Sequence, residues 1–123
     1  CFDEDFAPDL DFVAARNNLP KENVIEIFLA GTYRVFMLGF LPGFAYMGEI
    51  DERIAAPRRA RPRLKTPKGS VGIAGRQTGI YPMDSPGGWQ IIGRATLELF
   101  TSDAAAETPT LLRAGDLVKF YPI

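Results

Sequence analysis

The chain has 123 residues, 46% of them apolar, and a formal net charge of −1 from 14 basic and 15 acidic side chains. That length supports one core and one domain, the near-neutral balance gives no electrostatic case for nucleic acid or a membrane surface, and every apolar run is too short to span a bilayer. Histidine is absent and the one cysteine is Cys1, which excludes Ser-His-Asp and Cys-His nucleophile pairs, an imidazole base, and imidazole or thiolate metal sites.

The predicted elements begin with two short helices. Pro8 and Asp9 lead into Leu10, Val13 and Ala14 at one-face spacing, and Asn17-Asn18 ends that run. Pro20 opens a second helix with Val24, Ile25, Phe28 and Leu29 along one stripe and Gly31 as its stop. The pattern then changes to strand, with Tyr33, Val35 and Met37 alternating against their neighbours up to Gly39. Further strands are expected at Ser70–Ala74, Thr78–Tyr81, Gln90–Arg94, Thr96–Phe100 and Asp116–Tyr121, with Ala114-Gly115-Asp116 as a tight turn. Many short strands with glycine punctuation suggest a closed or nearly closed antiparallel barrel. Strand count alone does not separate a barrel from a sandwich.

Three segments compete for a functional role. The turn Phe40-Leu41-Pro42-Gly43-Phe44-Ala45-Tyr46 presents Phe44 and Tyr46 on one side, as pocket wall, partner interface or simple core packing, with Phe40 assigned to the core. Arg58, Arg59, Arg61, Arg63, Lys65 and Lys68 alternate with Pro57, Pro62 and Pro67, so this run is extended, and it is either a solvated loop or a clamp for carboxylate or phosphate. The richest stretch is Gly69 to Arg94, where seven glycines and two prolines surround the lone Trp89. Between them stand Arg76, Gln77, Thr78, Tyr81, Ser85, Gln90 and Arg94, which can bond a ligand, while amides at Gly87 and Gly88 can form an anion nest. Asp84 is placed to orient Arg76 or Arg94. The competing view is that the glycines only permit tight corners and Trp89 fills an interior.

Other chemistries are set aside by what the motifs lack. Ser85 sits between Asp84 and Pro86, so no nucleophile elbow exists, and neither a dinucleotide fingerprint nor a Walker lysine-hydroxyl pair is present. The carboxylates at Asp3-Glu4-Asp5 and Glu49-Ile50-Asp51-Glu52 lack the glycine and terminal glutamate of a calcium loop, so no metal is expected. With Cys1 unable to pair internally, a soluble, cytoplasmic protein is expected.

Three motifs in order carry a resemblance. They are Gly39-Phe40-Leu41-Pro42-Gly43-Phe44-Ala45-Tyr46-Met47-Gly48, Pro57-Arg58-Arg59-Ala60-Arg61-Pro62-Arg63, and the whole run from Gly69 to Arg94. From about Phe6 to Ile123 the chain resembles the family containing the B subunit of 5-oxoprolinase, allophanate hydrolase subunit 1 and the kinase inhibitor KipI. The resemblance implies a mainly β, cyclophilin-like antiparallel barrel with an N-terminal pair of short helices. It also implies that residues 1–123 are one domain, the C-terminal part of a longer polypeptide whose smaller α/β domain lies upstream.

The resemblance further implies a component of a multi-subunit, ATP-dependent 5-oxoprolinase, inactive alone and working with the A-type and C-type subunits of that enzyme. No cofactor is expected on this chain alone, ATP being used by the assembly. In that reading Arg76 and Arg94 hold a carboxylate or carboxyphosphate, Gln77, Thr78 and Gln90 bond an amide, and Tyr46, Tyr81 and Trp89 form walls beside Phe44, Arg58 and Arg59. Alternatives are a KipI-like inhibitor that grips a sensor histidine kinase, and a carboxyltransferase component of an allophanate hydrolase or urea carboxylase. Prolyl isomerase activity is weaker still, since fold likeness alone does not transfer function. Ala30 and Ala95 depart from the family pattern, where histidine and threonine are commoner.

Overall fold

A computed structural model of the chain describes residues 2, 5–39, 44–95 and 115–121. Two helices come first, α1 (Leu10–Arg16) and α2 (Lys21–Ala30). Leu10, Val13 and Ala14 are buried on α1, and Val24 and Phe28 on α2, while Ile25 and Leu29 flank that stripe half-buried. Pro20 caps α2, where its missing N–H removes no intrahelical bond, and Gly31 ends the helix. Among the described residues no helix is long and apolar enough to cross a membrane.

The strands are β1 (Tyr33–Leu38), β2 (Ala45–Gly48), β3 (Arg63–Thr66), β4 (Ser70–Ala74), β5 (Gln77–Ile80), β6 (Ser85–Gly87), β7 (Gln90–Arg94) and β8 (Leu117–Val118). They hydrogen-bond as a six-stranded sheet in the order β7-β4-β5-β2-β1-β8 and a two-stranded ribbon of β3 with β6. Every pairing is antiparallel. The mainly β architecture with an N-terminal helical pair is thus the one the sequence implies. Strands β4 and β7 coincide with their predicted spans, and β5 and β8 lie within a residue of theirs or inside them. Strands β2, β3 and β6 have no counterpart among the predicted elements. The segment expected as a strand over 96–100, and Phe40, lie outside the described residues.

Alternation along the strands divides the interior in two. Val35, Ala45, Met47, Val71, Ile73 and Ile80 join the helices in the larger core, whereas Phe44, Ala74, Tyr81, Trp89 and Ile91 form a second cluster. On β2 the buried residues are Ala45 and Met47, so Tyr46 and Gly48 take the other face. A register shift between Val35 and Met37 inserts Phe36 as an extra residue in β1. The hairpin between β4 and β5 turns on two residues, Gly75 and Arg76, and Gly75 has φ of +60°. Only glycine takes that first corner without strain, and the turn then carries Arg76 at its tip.

Tyr33 fastens α2 to the sheet. Its hydroxyl donates to the Phe28 carbonyl at 2.5 Å, and its ring stacks on Phe28 with centroids 5.2 Å apart. Burial, helped by the negative charge of Asp51, pushes the Tyr33 phenol up to about 12. Below pH ~10 the phenol is neutral in both folded and unfolded chains, so its stabilisation is complete there. Above that pH the unfolded chain ionises first, and stability falls as pH rises from about 10 to about 12. Tyr33→Phe should therefore cost about 1 kcal/mol at neutral pH and flatten the fall in urea-unfolding stability across that alkaline window. A fall as steep as in the unsubstituted chain would contradict this assignment.

Candidate functional site

The second cluster is built around Phe44. Its buried ring meets Tyr46, Tyr81 and Trp89 edge-on, with centroids 5.0, 5.3 and 5.4 Å away. Such geometry sets the positive edge of one ring against the negative face of the next. Close packing here explains part of the glycine density. A Cβ at Gly79 would stand 2.9 Å from Cζ of Phe44, and one at Gly72 3.0 Å from Cβ of Trp89. These two glycines serve the rings, not a ligand.

Where the cluster reaches the surface it lines a pocket of about 350 Å³. Tyr46, Tyr81 and Trp89 form its apolar walls, Pro62, Pro86, Gly87 and Gly88 its rim, and Arg58 and Arg59 its charge. Seven of the residues singled out from the sequence meet here. Burial raises the Tyr81 phenol above its usual range, although a Trp89 backbone hydrogen bond and the charge of Arg58 pull the other way. Tyr81 is consequently a neutral hydroxyl at physiological pH, able to donate a hydrogen bond but unsuited to act as a base.

The basic rim is fixed from beneath by Asp9, a residue the sequence offered only as a helix start. Asp9 does stand at the N-cap of α1, but its side chain makes no capping bond. Its carboxylate, 5% exposed, accepts from Nη1 of Arg59 at 2.9 Å, Nη2 of Arg63 at 2.7 Å and the amide of Ile91 at 2.6 Å. The Asp9 amide returns a bond to the Ile91 carbonyl at 2.9 Å. Arg59 in turn donates its backbone N–H to the Gly88 carbonyl at 2.6 Å. One buried anion therefore joins α1, β7, the proline-rich run and the Gly88 loop. Arg58 is left exposed, and it forms no ion pair or hydrogen bond among the described residues.

A second, wider groove of about 740 Å³ adjoins the first, with Arg58 in the wall of both. Its floor follows the strand register: Arg34 on β1 faces Gly48 on β2, Gly48 faces Gln77 on β5, and Gln77 faces Ala74 on β4. Arg76, at the hairpin tip, pairs with Glu49 at 2.9 Å and donates from Nε to the Ile50 carbonyl at 3.1 Å. Arg76 and Glu49 also border a third groove of about 500 Å³ containing Asp51 and Arg53. There the hydrogen bonds from Arg53 hold the Asp51 carboxyl down at about 2.

The remaining candidates stand elsewhere. Thr78 is buried and donates to the Gly72 carbonyl at 2.8 Å, Ser85 bonds the Pro86 carbonyl, and Gln90 donates to the Pro57 carbonyl at 3.0 Å. The guanidinium of Arg94 lies 4.5 Å from the centre of the Phe6 ring, in neither groove. Asp84 accepts from the Lys68 amide at 2.7 Å and pairs with Lys65 at 3.3 Å, so it orders the β3–β4 turn, and the charge of Arg94 acts on its carboxylate as well. Gly87 and Gly88 have no positive φ, which removes the left-handed step of the expected anion nest.

Residues 1–112 match the family described as carboxyltransferase domain, subdomain C and D. The chain is 54% identical to the B subunit of 5-oxoprolinase from Bacillus subtilis over 123 residues, which is all of this chain and 50% of that protein. It is 32% identical to urea amidolyase of Saccharomyces cerevisiae over 122 residues, covering 94% of this chain and 6% of that one. A crystal structure of a conserved uncharacterized protein from Pyrococcus horikoshii superimposes with a TM-score of 0.92 at 54% identity, covering 100% of this chain and 56% of the other. The chain thus spans about half the length of the 5-oxoprolinase subunit and of the Pyrococcus horikoshii protein.

If Asp9 carries the rim, its removal leaves Arg63 part-buried without its carboxylate. Asp9→Ala should destabilise the fold by about 3 kcal/mol, the order found when one partner of a buried pair is removed, and urea unfolding followed by circular dichroism measures it. A loss below about 1 kcal/mol, the value of an exposed pair, would show that Asp9 is not the anchor.

Proposed function

The chain belongs to the family of the carboxyltransferase domain, subdomains C and D, and we propose that it is a domain of the B subunit of a 5-oxoprolinase. The carrying observation is identity of 54% across all 123 residues to a protein of that name, a likeness far above that to urea amidolyase at 32%. In this reading it works in the cytoplasm with the A-type and C-type subunits of the enzyme. The assembly opens the lactam of 5-oxoproline to glutamate with ATP hydrolysis.

The aromatic pocket supports a place for the substrate. A lactam ring is flat and small, and three rings with a volume of about 350 Å³ suit a group of that size. Its carboxylate then meets Arg58, whose guanidinium is exposed and uncommitted. The Tyr81 hydroxyl, held neutral by burial, donates to the amide oxygen. Arg59 positions the rim through Asp9. The set first derived from the sequence is in this way redistributed: Tyr46, Tyr81, Trp89, Gly87, Gly88, Arg58 and Arg59 attend the substrate. Phe44 backs them, Arg76 and Gln77 serve the neighbouring groove, and Thr78, Ser85, Gln90 and Arg94 hold the frame.

In this reading the chain supplies the binding surface and its partner proteins supply the groups that cleave the bond. The isolated chain should be inactive. Reconstituted with its partners it should release glutamate from 5-oxoproline only when ATP is present, and Arg58→Ala should lower kcat/KM by about 10- to 100-fold, the loss of one charge-assisted contact. Turnover by the chain alone, or capture of a sensor histidine kinase in place of enzyme subunits, would overturn this reading.

A further inference from the structure

We propose that the wider groove beside the aromatic pocket is an oxyanion site of its own, made for a phosphate-type dianion. Its cross-section follows from register. Arg34, Gly48 and Gln77 are direct neighbours on three successive strands, so their side-chain positions share one face and the outer two lie about 10 Å apart. Gly48 puts no side chain of its own in the middle of that row, where the ring of Phe36 is the nearest neighbour. A Cβ placed there would touch Phe36 at 3.5 Å and the Arg76 carbonyl oxygen at 3.7 Å, which are ordinary contacts. Packing therefore does not require glycine at this position, in contrast to Gly79 and Gly72. Its effect is an open trough between Arg34 and Gln77.

The charge of the trough sets the ligand class. Arg34, Arg58 and Arg76 line it against the single carboxylate of Glu49, leaving two positive charges. Arg34 and Arg58 are exposed, and their side chains make no ion pair or hydrogen bond among the described residues. A monocarboxylate would leave one of these charges unmatched, whereas phosphate or diphosphate neutralises both and accepts several N–H groups at once. The Gln77 amide and the exposed ring of Phe36 complete the walls.

Glu49 gives the site an internal competitor. Its carboxylate takes Arg76 at 2.9 Å, with both side chains at least half exposed. An exposed pair of this kind is weak and yields to a better anion. The same chemistry arrives on free phosphate or on a nucleotide, and the two sources are separable.

Titration calorimetry of the chain at low ionic strength with inorganic pyrophosphate tests the assignment, because it reads binding and not 5-oxoproline turnover. Saturable binding is expected, weakened about tenfold by Arg34→Ala and tightened several-fold by Glu49→Gln. Gly48→Leu, which changes no charge, should abolish it while circular dichroism reports an unchanged fold. A parallel titration with ATP names the source: ATP bound with the same dependence on Arg34 means a nucleotide, and pyrophosphate bound alone means the free anion. No saturable binding, binding indifferent to Arg34→Ala, or weaker binding in Glu49→Gln would each refute the site.

Discussion

The basic rim of the aromatic pocket depends on one buried carboxylate. Asp9 stands at the start of the first helix, but its partners are the 57–63 run and the last long strand, some fifty to eighty residues onward. Taking a carboxylate out of water is costly unless every lone pair is answered. Asp9 meets that condition with two guanidiniums and a backbone amide. It also converts a proline-rich segment, extended and without a helix of its own, into a fixed wall.

What the sequence made legible follows from the range over which each signal acts. Both helices and strands β1, β4, β5 and β7 declared themselves through local periodicity and punctuation, which are properties of a few consecutive residues. Strand β2 hid behind the Pro42-Gly43 turn signal. Strand β3 carries Arg63, Lys65 and a Leu64 that is 93% exposed, so it has no buried stripe to betray it. Strand β6 is Ser85-Pro86-Gly87, made of residues depleted in strands. Strands β3 and β6 supply each other's hydrogen bonds across the intervening β4 and β5, and β2 is held between the preceding β1 and the later β5.

The site was legible by composition and not by assignment. The aromatic and basic segments do come together, yet polar residues inside strands, such as Thr78 and Gln90, bond backbone carbonyls and never reach a cavity. Conversely Arg34 carries no local signal, and Glu49 reads only as one of an acidic run without the pattern of a calcium loop, because an arginine in a strand and a glutamate in such a run are common surface features. Only cross-strand register places Arg34 beside Gly48 and Gln77. A signal was present in principle: Gly48 ends a four-residue strand that packing does not oblige to be glycine. Recognising it required the pairing.

Two pockets sharing Arg58 amount to two neighbouring chambers, the aromatic one seated on the second core cluster and the basic one on strand register. Trp89 stands in the wall of the first, 6% exposed, between Phe44 and Tyr46. It is also the one tryptophan in the chain. Light emitted on excitation of the indole therefore originates at a single known place. The protein carries a built-in optical probe, whose colour follows the dryness of the aromatic chamber and whose brightness follows whatever enters it.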